Sequence, residues 1–190
     1  TDGDRTDTAE ADVTEEALQD NENTEKSSKV LVAYYSATGN TKAAAETIAD
    51  AAGGELFELQ PAEAYTTEGL DYNDPESRVC KEHEDPDLQD VKLEEVTPES
   101  FSNANVVFLG YPIWWGEAAW PVNEFVKEND FTGKTVIPFC TSASSSLGDS
   151  GENLAEMAGT GEWQEGKRFS SGAAEEEIRN WVESLDLSAK

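Results

Sequence analysis

The sequence predicts an α/β domain: a doubly wound five-stranded parallel sheet in strand order 2-1-3-4-5, with helices on both faces. Two observations carry that prediction. Short, nearly continuous apolar runs alternate with stretches whose apolar residues recur at helical spacing, the rhythm of βαβ units. The first of those runs also ends in a glycine-bearing cluster of hydroxyls that opens a helix, YYSATGNTK at residues 34–42, where a plain turn would need only the glycine.

The elements follow in order. Residues 30–35, VLVAYY, are apolar and β-rich, the mark of a strand buried on both faces. Residues 40–52 follow as a helix, with Ala44, Ile48 and Ala51 on one face and Gly53-Gly54 stopping it. Residues 55–59 alternate polar and apolar, a second and more exposed strand. Residues 106–111 and 135–140 are two further buried runs, and Pro138 removes a ladder donor from the latter. Val122, Phe125 and Val126 form one stripe of a helix over 121–128, with its proline in the first turn. A short fifth strand at 167–170 precedes a terminal helix whose buried face is Ala174, Ile178, Trp181, Val182 and Leu185. Parallel neighbours joined through helices require covered faces on both sides of the sheet.

Residues 61–104 are too long for a plain connection. Asp74-Pro75-Glu76 reads as an N-cap, a first-turn proline and an acidic first turn, giving a helix over 75–83. The remainder is expected to be an ordered excursion over the surface, a candidate lid or partner face. Its carboxylates Glu82, Glu84 and Asp85 read as a solvated face, and His83, the one histidine of the chain, as a surface residue, which disfavours a catalytic triad or a histidine metal site.

With 190 residues the chain suffices for one domain with a sizeable core, and five tryptophans argue against general disorder. No apolar run is long enough to span a bilayer. Charge stands apart: 41 acids against 13 bases give a net −28. Such a surface repels nucleic acid and anionic lipid and attracts cationic ligands or basic protein faces, the plainer alternative being solubility or adaptation to salt. Residues 1–28 hold ten of the acids and almost no large apolar residue, and are expected to form an acidic disordered leader or linker ahead of a domain at 29–190. The missing initiator methionine is read as a removed segment, so the expectation leans to an exported or membrane-tethered domain, with a cytoplasmic tail as the alternative. Cys80 and Cys140 are the only cysteines; Cys140 reads as a core residue, and whether the two pair is open.

The hydroxyl cluster falls where the first helix offers unpaired N–H groups and the positive end of its dipole. Gly39 lets the backbone close around a ligand, and Ser36, Thr38, Asn40 and Thr41 add polar side chains. A triphosphate loop needs a second glycine five residues earlier and a following lysine, and a dinucleotide turn needs three spaced glycines; neither pattern is present. A terminal monophosphate held by neutral donors remains. GYPIWWG at 110–116 places Trp114 and Trp115 at the end of the neighbouring strand, and TSASSSLGDS at 141–150 adds a small hydroxyl-rich rim. In the predicted strand order all three loops face one crevice, and their chemistry suits a phosphorylated planar heterocycle.

In these motifs the sequence resembles the flavodoxin family: S-A-T-G-N-T at 36–41 matches that family's phosphate loop, and GYPIWWG and PFCTSASSSLG look like its other two flavin loops, the likeness covering roughly residues 29–187. The resemblance implies FMN as cofactor. It implies that Ser36, Ala37, Thr38, Gly39, Asn40 and Thr41 wrap the phosphate. Pro112, Ile113, Trp114, Trp115 and Gly116 would line the isoalloxazine, and Thr141, Ser142 and Ala143 would meet its pyrimidine edge. Ala143 and Ser146 stand where glycines are expected in the related subgroup.

No nucleophile–base pair is legible, so the chemistry would be the flavin's. Two functions follow. One is an electron shuttle docking onto redox partner proteins with basic faces. The other is a reductase passing hydride from NAD(P)H to a quinone or similar small acceptor, for which Arg78 and Lys81 are the nearby phosphate-binding candidates. A third, non-redox reading is a flavin-binding sensor or structural module. The acidic protein should disfavour added negative charge on the cofactor and give the final electron a low reduction potential.

Overall fold

A computed structural model describes residues 29–187, so the expectation for residues 1–28 lies outside it. The chain runs β1 (Val30–Tyr34), α1 (Asn40–Ala52), β2 (Glu55–Glu58), α2 (Arg78–Glu84), β3 (Val106–Trp114), β4 (Glu117–Ala118), α3 (Val122–Glu128), β5 (Thr135–Ser142), α4 (Ser150–Ala158), β6 (Glu162–Trp163), β7 (Lys167–Ser170) and α5 (Glu175–Ser184), with 3₁₀ turns at Pro86–Gln89 and Glu99–Asn103. The parallel sheet is ordered β2-β1-β3-β5, and β6 and β7 share the fifth position, each parallel to β5. This is the predicted order, with β5 as fourth strand and the fifth in two pieces.

Pro138 explains the division. The carbonyls of Lys134 and Val136 accept from Glu162 N (2.9 Å) and Gln164 N (2.8 Å) on the outer edge of β5. Backbone groups alternate sides along a strand, so the donorless nitrogen of Pro138 faces that same edge. There β6 pairs with Thr135 and Val136, β7 pairs from Phe139 onward, and the register skips Ile137 and Pro138. Gly166 fits the gap because it has no side chain: a Cβ there would lie 2.5 Å from Pro138 O. The inner edge keeps its ladder to β3 unbroken.

Alternation along β1 and β3 feeds two cores. Val30, Val32, Tyr34, Val106 and Phe108 pack under α1 and α5, against Ala44, Ala45, Ile48, Ile178 and Val182. Leu31, Ala33, Tyr35, Val107, Leu109 and Tyr111 pack on the opposite side with Phe125, Val126 and Leu154 of α3 and α4. At the edge, β2 is exposed along most of its length, as expected of the second, more exposed strand.

Helix α2, strand β3 and Glu82 depart from the sequence expectation. Helix α2 starts at Arg78 because Ser77 is its cap, accepting from Cys80 N, while Asp74 closes a turn onto Glu76 N (2.9 Å). Strand β3 continues through Trp114 because a hairpin with β4 extends it. Glu82, expected in solvent, is 5% exposed.

Cys80 and Cys140 are both free and lie in separate clusters. Burial pushes the Cys140 thiol up to about 12 from 9.0, and burial followed by the Glu58 charge pushes the Tyr34 hydroxyl up to about 12 from 10.0. The folded chain therefore keeps protons that the unfolded chain surrenders. That contribution is whole below about pH 9 and is lost as pH rises toward 12. Denaturant titrations should show stability declining from about pH 9 upward, with Cys140→Ala removing the earliest part of the decline.

Candidate functional site

The carboxyl ends of β1, β3 and β5 carry the three motif loops to one mouth. Gly39 turns the first of them with φ +93°, a conformation that costs glycine little. Ser36 Oγ accepts from Gly39 N (3.1 Å) and Lys42 N (3.3 Å), folding the loop over the start of α1. With two N–H groups on its oxygen, the Ser36 hydroxyl proton is left to donate to a ligand. Asn40 Nδ2 donates to Thr38 Oγ1 (3.3 Å), and Thr38 and Gly39 are exposed. The N–H groups of Asn40 and Thr41 lie in the first turn of α1, ahead of any intrahelical acceptor. No carboxylate occurs in residues 36–42.

The loop after β5 joins this one directly. Thr41 Oγ1 and Thr141 Oγ1 share a buried hydrogen bond of 2.7 Å. Arg168 of β7, which motif reading missed, braces the loop: its Nε donates to Ser142 Oγ (3.0 Å), and its Nη2 donates to the carbonyls of Ser142 (2.9 Å) and Ala143 (3.0 Å). Ser142 Oγ in turn donates to Ser145 O. Ala143 itself is exposed. The only advance sign of Arg168 was a base in a short strand next to the loop-bearing one.

The β3–β4 hairpin forms the third side. Ile113 pairs with Ala118 and Trp114 with Glu117, leaving Trp115 and Gly116 as a two-residue tip. Both have positive φ, +48° and +79°, the pattern of a type I′ turn. An aromatic residue in that region costs about 1–2 kcal/mol. Stacking offsets the cost: the Trp115 ring lies 4.2 Å from that of His83 at 6°. Trp120 also lies alongside the Trp115 ring, 5.9 Å away at 15°, and Trp115 remains 43% exposed. Trp114 turns the other way, edge to face against Tyr35 (5.6 Å), Tyr65 (5.6 Å) and Trp120 (4.8 Å). Pro112 and Ile113 are half-buried at its side. The tip approaches the third loop closely enough that a Cβ on Gly148 would stand 4.0 Å from Gly116 O. The two tryptophans thus occupy different settings, a half-buried wall and an exposed tip.

Behind this wall lies the excursion. Glu82 accepts from Arg78 Nε (2.8 Å), Tyr65 OH (2.5 Å) and Trp120 Nε1 (2.8 Å). Burial, and then the hydrogen bond to Glu82, hold the Tyr65 hydroxyl above its ordinary value, so it stays a donor. Arg78 also donates to Glu63 O (2.6 Å) and lies 3.8 Å over the Tyr65 ring. Lys81 pairs with Glu76 (3.2 Å). Glu124 fastens the far end of the excursion, accepting from Leu93 N (2.5 Å) and pairing with Lys92 (3.2 Å). A recess of about 260 Å³ bordered by Tyr35, Ser36, Ala37 and Tyr65 opens beside the first loop. Among the described residues no His, Cys, Asp or Glu cluster could hold a metal ion, and no helix is long and apolar enough to cross a membrane.

Comparison with known proteins agrees with this architecture. The sequence profile of one family, Flavodoxin, matches residues 29–185. A candidate flavoprotein from Bacteroides eggerthii, solved by crystallography, is 39% identical, covers 83% of this chain and 97% of its own, and superposes with a TM-score of 0.74. One from Bacteroides uniformis is 37% identical, with 82% and 97% covered and the same TM-score of 0.74. A flavoprotein from Lactobacillus acidophilus, solved in complex with FMN, shares the fold at 21% identity and a TM-score of 0.51, with 74% and 93% covered. No curated protein matches the chain.

Proposed function

Because the chain belongs to the flavodoxin family, we propose that it is an FMN-dependent electron-transfer protein that shuttles electrons between redox partners. The observation that carries this reading is the convergence of three chemically different loops at one mouth of the sheet, where β1 and β3 are neighbours. The residues suit the cofactor. The first loop has hydroxyls and open first-turn N–H groups with no carboxylate, which fits a terminal monophosphate. Ser36, Ala37, Thr38, Gly39, Asn40 and Thr41 hold it in this reading. Pro112, Ile113, Trp114, Trp115 and Gly116 form the wall for the ring, and Thr141, Ser142 and Ala143 the rim, braced from behind by Arg168.

When bound, FMN supplies the electron chemistry. The chain binds it, orients it between hairpin and rim, and limits the approach of water. The cations of the excursion favour the shuttle over the reductase. Arg78 is held by Glu82 and by the Glu63 carbonyl, and Lys81 and Lys92 each already face a carboxylate, Glu76 and Glu124. The excess of acid over base suits docking by basic protein faces.

The test is a visible spectrum of protein purified without added cofactor, followed by reduction with dithionite and, separately, with NADH and NADPH. The expected protein is yellow, reduces in two one-electron waves with a low final potential, and ignores both nucleotides. Rapid bleaching by a nucleotide would establish the reductase instead. A colourless chain that refuses added FMN would overturn the cofactor assignment.

A further inference from the structure

Two consecutive residues of α2 hold both tryptophans of the hairpin from behind. Glu82 points inward. Its Oε2 accepts from Tyr65 OH (2.5 Å) and Trp120 Nε1 (2.8 Å), and these two rings box Trp114 edge to face at 5.6 and 4.8 Å. Its Oε1 takes Arg78 Nε at 2.8 Å, and Arg78 caps the outer face of Tyr65. His83 points outward and stacks on Trp115 at 4.2 Å. Gln89 Nε2 donates to Glu82 O (3.0 Å), tying the following 3₁₀ turn to the same residue.

We propose that Glu82 is a positioning residue of the flavin site: its carboxylate sets Tyr65 and Trp120, and through them the angle and rigidity of the Trp114 wall. The inference rests on the reading that this mouth binds FMN. It gives the excursion a task other than that of lid or partner face. A carboxylate suits the position because it can accept three donors at once, and neither a hydroxyl nor an amide can do so while facing a guanidinium. It is ion-paired with Arg78, so exchanging it for a neutral group leaves that positive charge uncompensated near the cofactor.

The experiment compares Glu82→Gln with Glu124→Gln. Both remove a buried carboxylate that anchors the excursion, at 5% and 8% exposure, but Glu124 binds Leu93 N and Lys92 and none of the wall's rings. FMN dissociation constants are read by flavin fluorescence, midpoint potentials by redox titration, and aromatic order by near-ultraviolet circular dichroism of the cofactor-free protein. E82Q should weaken FMN at least tenfold, raise the flavin potential and reduce the aromatic dichroism, while E124Q leaves all three in place. Tyr65→Phe keeps the ring and deletes the donor. It should weaken FMN in the same direction by a smaller factor, and it carries the test if E82Q does not fold. Equal shifts in E82Q and E124Q, or a Tyr65→Phe variant with wild-type affinity and dichroism, would overturn the proposal. Wild-type protein that takes up no FMN would remove both this proposal and the function it rests on. Wild-type binding with unmoved variants would remove this proposal alone.

Discussion

Gly110→Ala should lower the thermal midpoint of the domain by roughly 6–12 °C, from an overpacking cost of about 3 kcal/mol in a chain of this size. Gly110 and Phe139 are direct partners across β3 and β5, and the phenyl ring lies over the space where a side chain at 110 would go. A Cβ there would stand 2.2 Å from Phe139 Cζ and 2.5 Å from Cε2. The ring is fully buried and has no solvent to swing into. The strand must give way instead, and the residues it next delivers are Tyr111 to Gly116, the hairpin of the site. Flavin affinity should therefore fall with stability. Calorimetry of Gly110→Ala with and without Phe139→Leu decides the cause, since the smaller partner should recover most of the loss. A single variant that melts with wild type, or a double variant that melts as low as the single, would show that the ring is not the obstacle.

The second large effect belongs to the first loop. Ser36→Ala and Thr38→Ala should each cost about 10- to 100-fold in FMN affinity, because a hydrogen bond to a charged oxygen is worth about 1.5–3 kcal/mol. Ser36→Ala has a further consequence: Gly39 N and Lys42 N lose their common acceptor, so the loop loses the bond that closes it. Riboflavin, the same ring system without the phosphate, separates the two ends of the site. Both variants should bind it about as well as wild type does, so the preference for FMN collapses while the ring contribution stands. Equal losses for FMN and riboflavin would place the phosphate elsewhere. The structural cost of Ser36→Ala should stay near that of a lost helix cap, about 1 kcal/mol.

Local chemistry made the first loop and the central strands readable in the sequence. The SATGNT loop needs only the turn-forming glycine, the hydroxyls and the helix behind it, all adjacent in sequence. The buried runs at residues 30–35 and 106–111 declared themselves by unbroken apolar character, and the strand order followed from alternation with helices. What escaped depended on contacts across long separations. Glu82 stands among Glu84 and Asp85, and composition alone cannot say which acid of a helix turns inward. Its spacing did hold a sign, three residues after the apolar Val79 and four after Arg78, so it shares the buried stripe and can reach a cation. Arg168 braces a loop 25 and 26 residues earlier. Pro138 was legible as a missing donor, but its effect falls on the neighbouring strand and not on its own.

That displaced effect bears on how the protein behaves in crowded solution. An open sheet edge invites a strand from another molecule, and long flat edges seed aggregation. Here one edge is β2, four residues long and flanked by Glu55 and Glu58. The other consists of two segments, of two and four residues, separated by the step at Pro138. A strand arriving from a second copy meets acidic side chains on one side and a ladder that stops after two residues on the other. The proline that costs the sheet one hydrogen bond also keeps its boundary from serving as a template for fibril growth.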